Sequence, residues 1–150
     1  MTWIHTVAYD DTTGRLRQHY DRVKGPDGHV DNIMMAHSLR PHSMDGHMAI
    51  YKNVLHHASN TVPKSFLETI GVLVSHINAC SYCVDHHFAG LRRLLADDAR
   101  AEAIRLAIFG GTIETAFGGR ELTALHYAAK LTRVAAGISQ SDIAAMRDAG

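Results

Sequence analysis

Apolar residues recur along most of this chain at three- and four-residue intervals and do not alternate, which predicts helices throughout and no convincing β-strand. In TGRLRQHYDRV, Leu16, Tyr20 and Val23 share one helical face, and MAIYKNVLHHA continues the pattern with Met48, Tyr51, Val54 and Leu55. PKSFLETIGVLVSHINA carries a wider stripe of Phe66, Leu67, Ile70, Leu73, Val74 and Ile77, so this helix is expected to be central. The same period runs through YCVDHHFAGLRRLLA, DARAEAIRLAIFGG and RELTALHYAAKLTRVAAG, and a short amphipathic helix closes the chain in SQSDIAAMRDAG.

The punctuation agrees with that reading. Pro26, Pro41 and Pro63 each stand where a helix could start. Asp97 and Asp98 suit the positive end of a helix, and Gly110–Gly111 and Gly137 read as C-terminal stops. Ser139 or Ser141 offers an N-cap for the last helix. No repeat, low-complexity tract or linker interrupts the 150 residues. The expectation is one all-α domain over residues 1–150, long enough to bury a core of its own.

Charge changes this picture by exclusion. Lys plus Arg is 15 and Asp plus Glu is 15, so the basic excess expected of a nucleic-acid or acidic-membrane binder is missing. Runs such as IGVLV fall far short of the roughly 20 apolar residues that span a bilayer. The opening MTWIHTVAYDD lacks the basic and apolar regions of a secretory leader, and a cytoplasmic location is expected.

The chemistry concentrates in INACSYCVDHH, residues 77–87. A disulfide between Cys80 and Cys83 would close a very small loop and remove little entropy from the unfolded chain, so a reactive pair is favoured over a structural staple. On a helix, Cys80, Cys83 and His87 fall at i, i+3 and i+7 and share a face, while Asp85 and His86 point elsewhere. The helix start lowers the pKa of a thiol, and a histidine one turn away can take its proton. Cys83, with His87 as neighbour, is assigned the attacking role, and Cys80 the resolving one. Glu68 lies within the apolar stripe upstream, where it either needs a buried partner, pairs with an arginine or sits on the exposed edge. His76 could line the approach to the thiols or serve an ordinary packing or surface role. Most of the twelve histidines are expected at the surface or partly buried, and Met34–Met35 are expected to be core residues.

Glu68, then Cys80 twelve positions later, then Ser81-Tyr82, Cys83 and His87, resembles the signature of the alkylhydroperoxidase D-like family, within the carboxymuconolactone decarboxylase-like superfamily. WIHTV, TGRLRQHYD, AHSLRP, IYKNVLH and ELTALHYAAKLT extend the resemblance, across residues 3 to 137, to its peroxidase-related branch. The resemblance implies an all-α bundle assembling into a trimer or hexamer. It further implies reduction of a hydroperoxide through a Cys80–Cys83 dithiol/disulfide cycle, with Glu68 and His87 as a proton relay. The implied reductant is an external thiol, a lipoyl-bearing or thioredoxin-like protein, with no cofactor or metal bound in the chain. Two departures stand out. Tyr82 occupies a position between the cysteines where relatives often carry histidine, and the chain ends at Gly150 where relatives continue with a further helix.

Three other readings use the same residues. Zinc could be held by Cys80, Cys83 and His87 with Glu68 or His86, but the second two-ligand knuckle of a structural zinc site is not obvious. A carboxymuconolactone decarboxylase-like activity would not depend on the paired cysteines. A redox sensor would use the same spacing and react once, without turnover.

Overall fold

The computed structural model describes residues 3–150; Met1 and Thr2, at the head of the stretch read above for a leader, lie outside the described residues. The described residues form eight α-helices and three short 3-10 turns with no strand, as the apolar period predicts. The chain divides between residues 59 and 60 into two compact units.

The first unit contains α1 (Gly14–Val23), α2 (Asn32–Met35) and α3 (Pro41–Val54). Its core is Tyr20, Val30, Met34 and Met44, with Leu16, Val23, Met35 and Met48 packed around them. Tyr20 is fully buried, and its hydroxyl donates to the Val7 carbonyl at 2.8 Å, so the ring's polar tip is satisfied. Pro41 occupies the first turn of α3, where its missing N–H costs nothing. Pro26 does not start a helix: it sits at the second position of a turn closed by Gly28 N–H donating to Gly25 O at 2.9 Å, a place its fixed φ also suits. The buried face of α3 is also shifted from the expected one. Met44 and Met48 face the core, Val54 is exposed, and Leu55 lies beyond the helix end. Among the histidines only His19 is buried.

The second unit holds α4 (Lys64–Ile77), α5 (Ser81–Leu95), α6 (Asp98–Gly110), α7 (Gly119–Arg133) and α8 (Gln140–Ala149). α4 is central, packed against α5, α6 and α7. That explains the difference from the expected stripe: Thr69 and Val72 are as buried as Phe66 and Leu73, because neighbours cover α4 on more than one side. Thr69 meets its burial by donating its hydroxyl to the Ser65 carbonyl at 2.9 Å. Val72, Leu73, Val84, Leu91, Ile104, Ile108 and Leu125 form the centre of the core. Leu91 and Leu125 are fully buried, and truncating either to alanine is worth about 2–5 kcal/mol.

Local chemistry sets the ends of these helices. Pro63 lies just before α4, Asp97 caps α6 by accepting from Arg100 N at 2.9 Å, and Gly111 ends α6 at φ +70°. α8 opens with a capping box between Ser139 and Asp142. α7 stops at Arg133 and not at Gly137, because β-branched Val134 turns to φ −145° and the chain continues as a 3-10 turn over Ala135–Gly137. No helix of the described residues is long and apolar enough to cross a membrane.

Candidate active site

The turn between α4 and α5 sets the position of both cysteines. α4 ends with Ala79 N–H donating to His76 O and Cys80 N–H donating to Ser75 O, both at 3.0 Å. This is the paired closure of a Schellman turn, and it requires a left-handed residue at position 79. Ala79 takes that conformation at φ +53° although it is not glycine. Cys80 is then the N-cap of α5: its Sγ accepts the Cys83 N–H at 3.3 Å. Cys80 and Cys83 are joined by a disulfide, with Cα atoms 5.3 Å apart.

Glu68 finds its partner across the helix pair. Its Oε2 lies 2.8 Å from His87 Nδ1, and the side chains are only 17% and 22% exposed. With the carboxylate ionised, Nδ1 carries the proton and donates it. The contact leaves Nε2 as the free ring nitrogen, on a residue one helical turn beyond Cys83.

Two glycines, which the sequence reading passes over, make this contact possible. A Cβ on Gly71 would lie 2.5 Å from His87 Nδ1 and within 2.8 Å of two further ring atoms. A Cβ on Gly90 would lie 2.9 Å from Glu68 Cδ and Oε1. The arrangement is reciprocal. The α5 histidine lies over the α4 glycine, the α4 glutamate lies over the α5 glycine, and each glycine is three residues from the charged group on its own helix. Their only sequence signal is glycine in the interior of a helix, where it costs about 1 kcal/mol relative to alanine.

The remaining candidates lie further out. Tyr82 is exposed, with its ring 6.2 Å from that of exposed His86. His76 is also exposed and stacks on Phe109 with ring centres 4.4 Å apart. It lines a cleft of about 250 Å³ that reaches Cys80. Glu68, Cys83, His87 and Tyr82 do not line this cleft. Among the described residues no three His, Cys, Asp or Glu side chains form a metal-binding group.

The sequence model of the Carboxymuconolactone decarboxylase family matches residues 41–130, more than half of the chain. The chain belongs to that family. Two solved structures share the fold of this family member. One is described as the alkylhydroperoxidase AhpD core, an uncharacterized peroxidase-related protein from Ralstonia eutropha JMP134. It is 22% identical with a TM-score of 0.78, covering 98% of this chain and 75% of that one. The other is an uncharacterized peroxidase-related protein from Silicibacter sp. TM1040, 26% identical with a TM-score of 0.73, covering 89% of this chain and 68% of that one. No curated protein matches this family member. The match spans Glu68, Cys80, Cys83 and His87, so the whole constellation lies within the family's shared region.

Proposed function

We propose that this chain is a thiol-dependent peroxidase that reduces hydroperoxides through Cys80 and Cys83. The observation that carries the reading is a disulfide at the N-terminus of α5, one turn from a histidine held by a largely buried glutamate. The peroxidase-related description of both structural relatives supports it.

In the reduced protein, His87 Nε2 takes the Cys83 proton, and the Nδ1–H bond to Glu68 stabilises the imidazolium that forms. The Cys83 thiolate attacks the terminal oxygen of the hydroperoxide. An S–O bond forms as the O–O bond breaks, and the departing alkoxide takes the proton back from His87 to leave as an alcohol. Cys83 is now a sulfenic acid. The Cys80 thiolate, stabilised by the first-turn N–H of Cys83, attacks that sulfur and expels hydroxide, which leaves as water. An external dithiol, carried by a lipoyl-bearing or thioredoxin-like partner, then returns two electrons to the disulfide.

The test is steady-state consumption of a hydroperoxide with dihydrolipoamide as reductant. Cys83→Ser loses turnover, and Glu68→Gln lowers kcat/KM by about 10²-fold, the size of a positioned acid–base effect. Wild-type turnover in Cys83→Ser would overturn the mechanism. A single stoichiometric reaction with peroxide in the wild type would identify a sensor in its place.

A further inference from the structure

The two sulfurs have unlike surroundings. Glu68 and His87 meet between α4 and α5, one turn beyond Cys83, whereas the cleft, walled by α4, α5 and α6, reaches Cys80 and has no wall from Cys83 or His87. Its apolar walls are Ala79, Val84 and Phe109, on which the His76 ring stacks within 17° of parallel, and Ser75 and Ser81 add hydroxyls to the lining. Arg105 closes one side with its guanidinium 5.6 Å from the Phe109 ring centre. Its charge is already answered, since Glu102 accepts from Nη2 at 2.7 Å and from Nε at 3.0 Å. Asp85 adds an acidic group to the lining. The cleft therefore offers apolar contact and no uncompensated cation.

Resting on the peroxidase reading, we infer that this cleft receives the reductant, a thiol on an uncharged aliphatic arm, and directs its attack to Cys80 and not to Cys83. The thiolate attacks Cys80 Sγ, so that a mixed disulfide forms as the Cys80–Cys83 bond breaks. The electron pair leaves on Cys83, which is reprotonated through His87. A second thiolate, from the same arm or another molecule, attacks the sulfur of the first and expels Cys80. The leaving thiolate remains in contact with the Cys83 N–H that its sulfur accepts in the disulfide. Two thiols are oxidised to a disulfide and the protein disulfide is reduced, which balances the exchange. The peroxide and the reductant thus meet different sulfurs.

The test separates the two half-reactions. Oxidised wild-type protein is mixed briefly with N-acetylcysteamine, quenched in acid, blocked with N-ethylmaleimide and sequenced by tandem mass spectrometry. The adduct is expected on Cys80 with the maleimide on Cys83; the opposite labelling overturns the proposal. In stopped flow, Phe109→Ala removes the aromatic wall and slows reduction of the disulfide by about five- to tenfold. Reoxidation of that variant by peroxide stays at the wild-type rate, and an unchanged reduction rate would refute the cleft's role. Corrected for thiolate fraction, 3-mercaptopropionate reduces the protein more slowly than N-acetylcysteamine, and equal rates would remove the preference for an uncharged arm. Labelling at Cys80 in a protein that peroxide fails to oxidise would sink the peroxidase reading alone. Normal peroxide oxidation with labelling at Cys83 would sink this inference alone.

Discussion

Replacing Gly71 by alanine puts one methyl group where the His87 ring now lies. The added Cβ would be 2.5–2.8 Å from three ring atoms, against about 3.5–4.0 Å for ordinary carbon contacts. The ring therefore has to retreat by about 1 Å, and the cost of such overpacking is about 1–3 kcal/mol. Removing a helix-interior glycine returns about 1 kcal/mol. The net loss of stability is thus small, about 0–2 kcal/mol. Catalysis suffers more. A 1 Å shift of His87 carries the 2.8 Å bond to Glu68 beyond hydrogen-bonding range, and a misplacement of that size costs about 10²-fold in rate. The expected result is a folded protein whose kcat/KM falls by about 10²-fold, measured by hydroperoxide consumption beside thermal unfolding. Gly90→Ala is expected to be milder, because its neighbour is the end of a glutamate side chain that can swing aside. Gly46→Ala, in α3 with nothing within 4 Å of the new methyl, is the control. It should be stabilising by about 0.5–1 kcal/mol with activity untouched. Wild-type activity in Gly71→Ala would show that the His87 position seen here has no part in turnover.

Two further outcomes follow from groups away from the sulfurs. Asp142 accepts from Lys130 Nζ at 2.7 Å on both oxygens and from Ser139 N at 2.7 Å, and these bonds hold its carboxyl well below the usual range, at about 2. A depressed folded-state value stabilises the protein above the ordinary pKa of 3.8, and that contribution is lost as pH falls toward 2. Amide exchange in α8 should accelerate across that window in the wild type and show no such step in Asp142→Asn; a wild type without the step would contradict the assignment. Ala79→Gly should stabilise the protein by about 0.5–1 kcal/mol, since release of the left-handed alanine, worth about 1–2 kcal/mol, exceeds the extra freedom of an unfolded glycine. A lower melting temperature would show that the turn does not strain the alanine.

Helix positions were legible where one element decides them. The apolar period, Asp97, Gly111 and Ser139 place α4 to α8 to within a few residues, because caps and stops act within a single turn. Pro26 misleads because the same fixed φ serves a tight turn as well as a helix start. Thr69 and Val72 escape a stripe drawn for one buried face, since the burial of α4 depends on three neighbours. The spacing of Cys80, Cys83 and His87 is local and visible in the sequence. Whether Glu68 meets arginine, solvent or His87 is decided by the approach of α5, and the glycines that permit that approach acquire their meaning only from the opposite helix.

Cys80 does two structural jobs at once: its N–H completes the end of α4 and its sulfur begins α5. The length of this connection is therefore fixed. One residue inserted between Asn78 and Ser81 must give up either the amide's bond to Ser75 or the sulfur's place over the Cys83 N–H. For protein engineering, the stretch from Ser75 to Cys83 is a cassette to be transplanted whole, in which the spacing of the helix ends is as much a part of the redox pair as the two thiols.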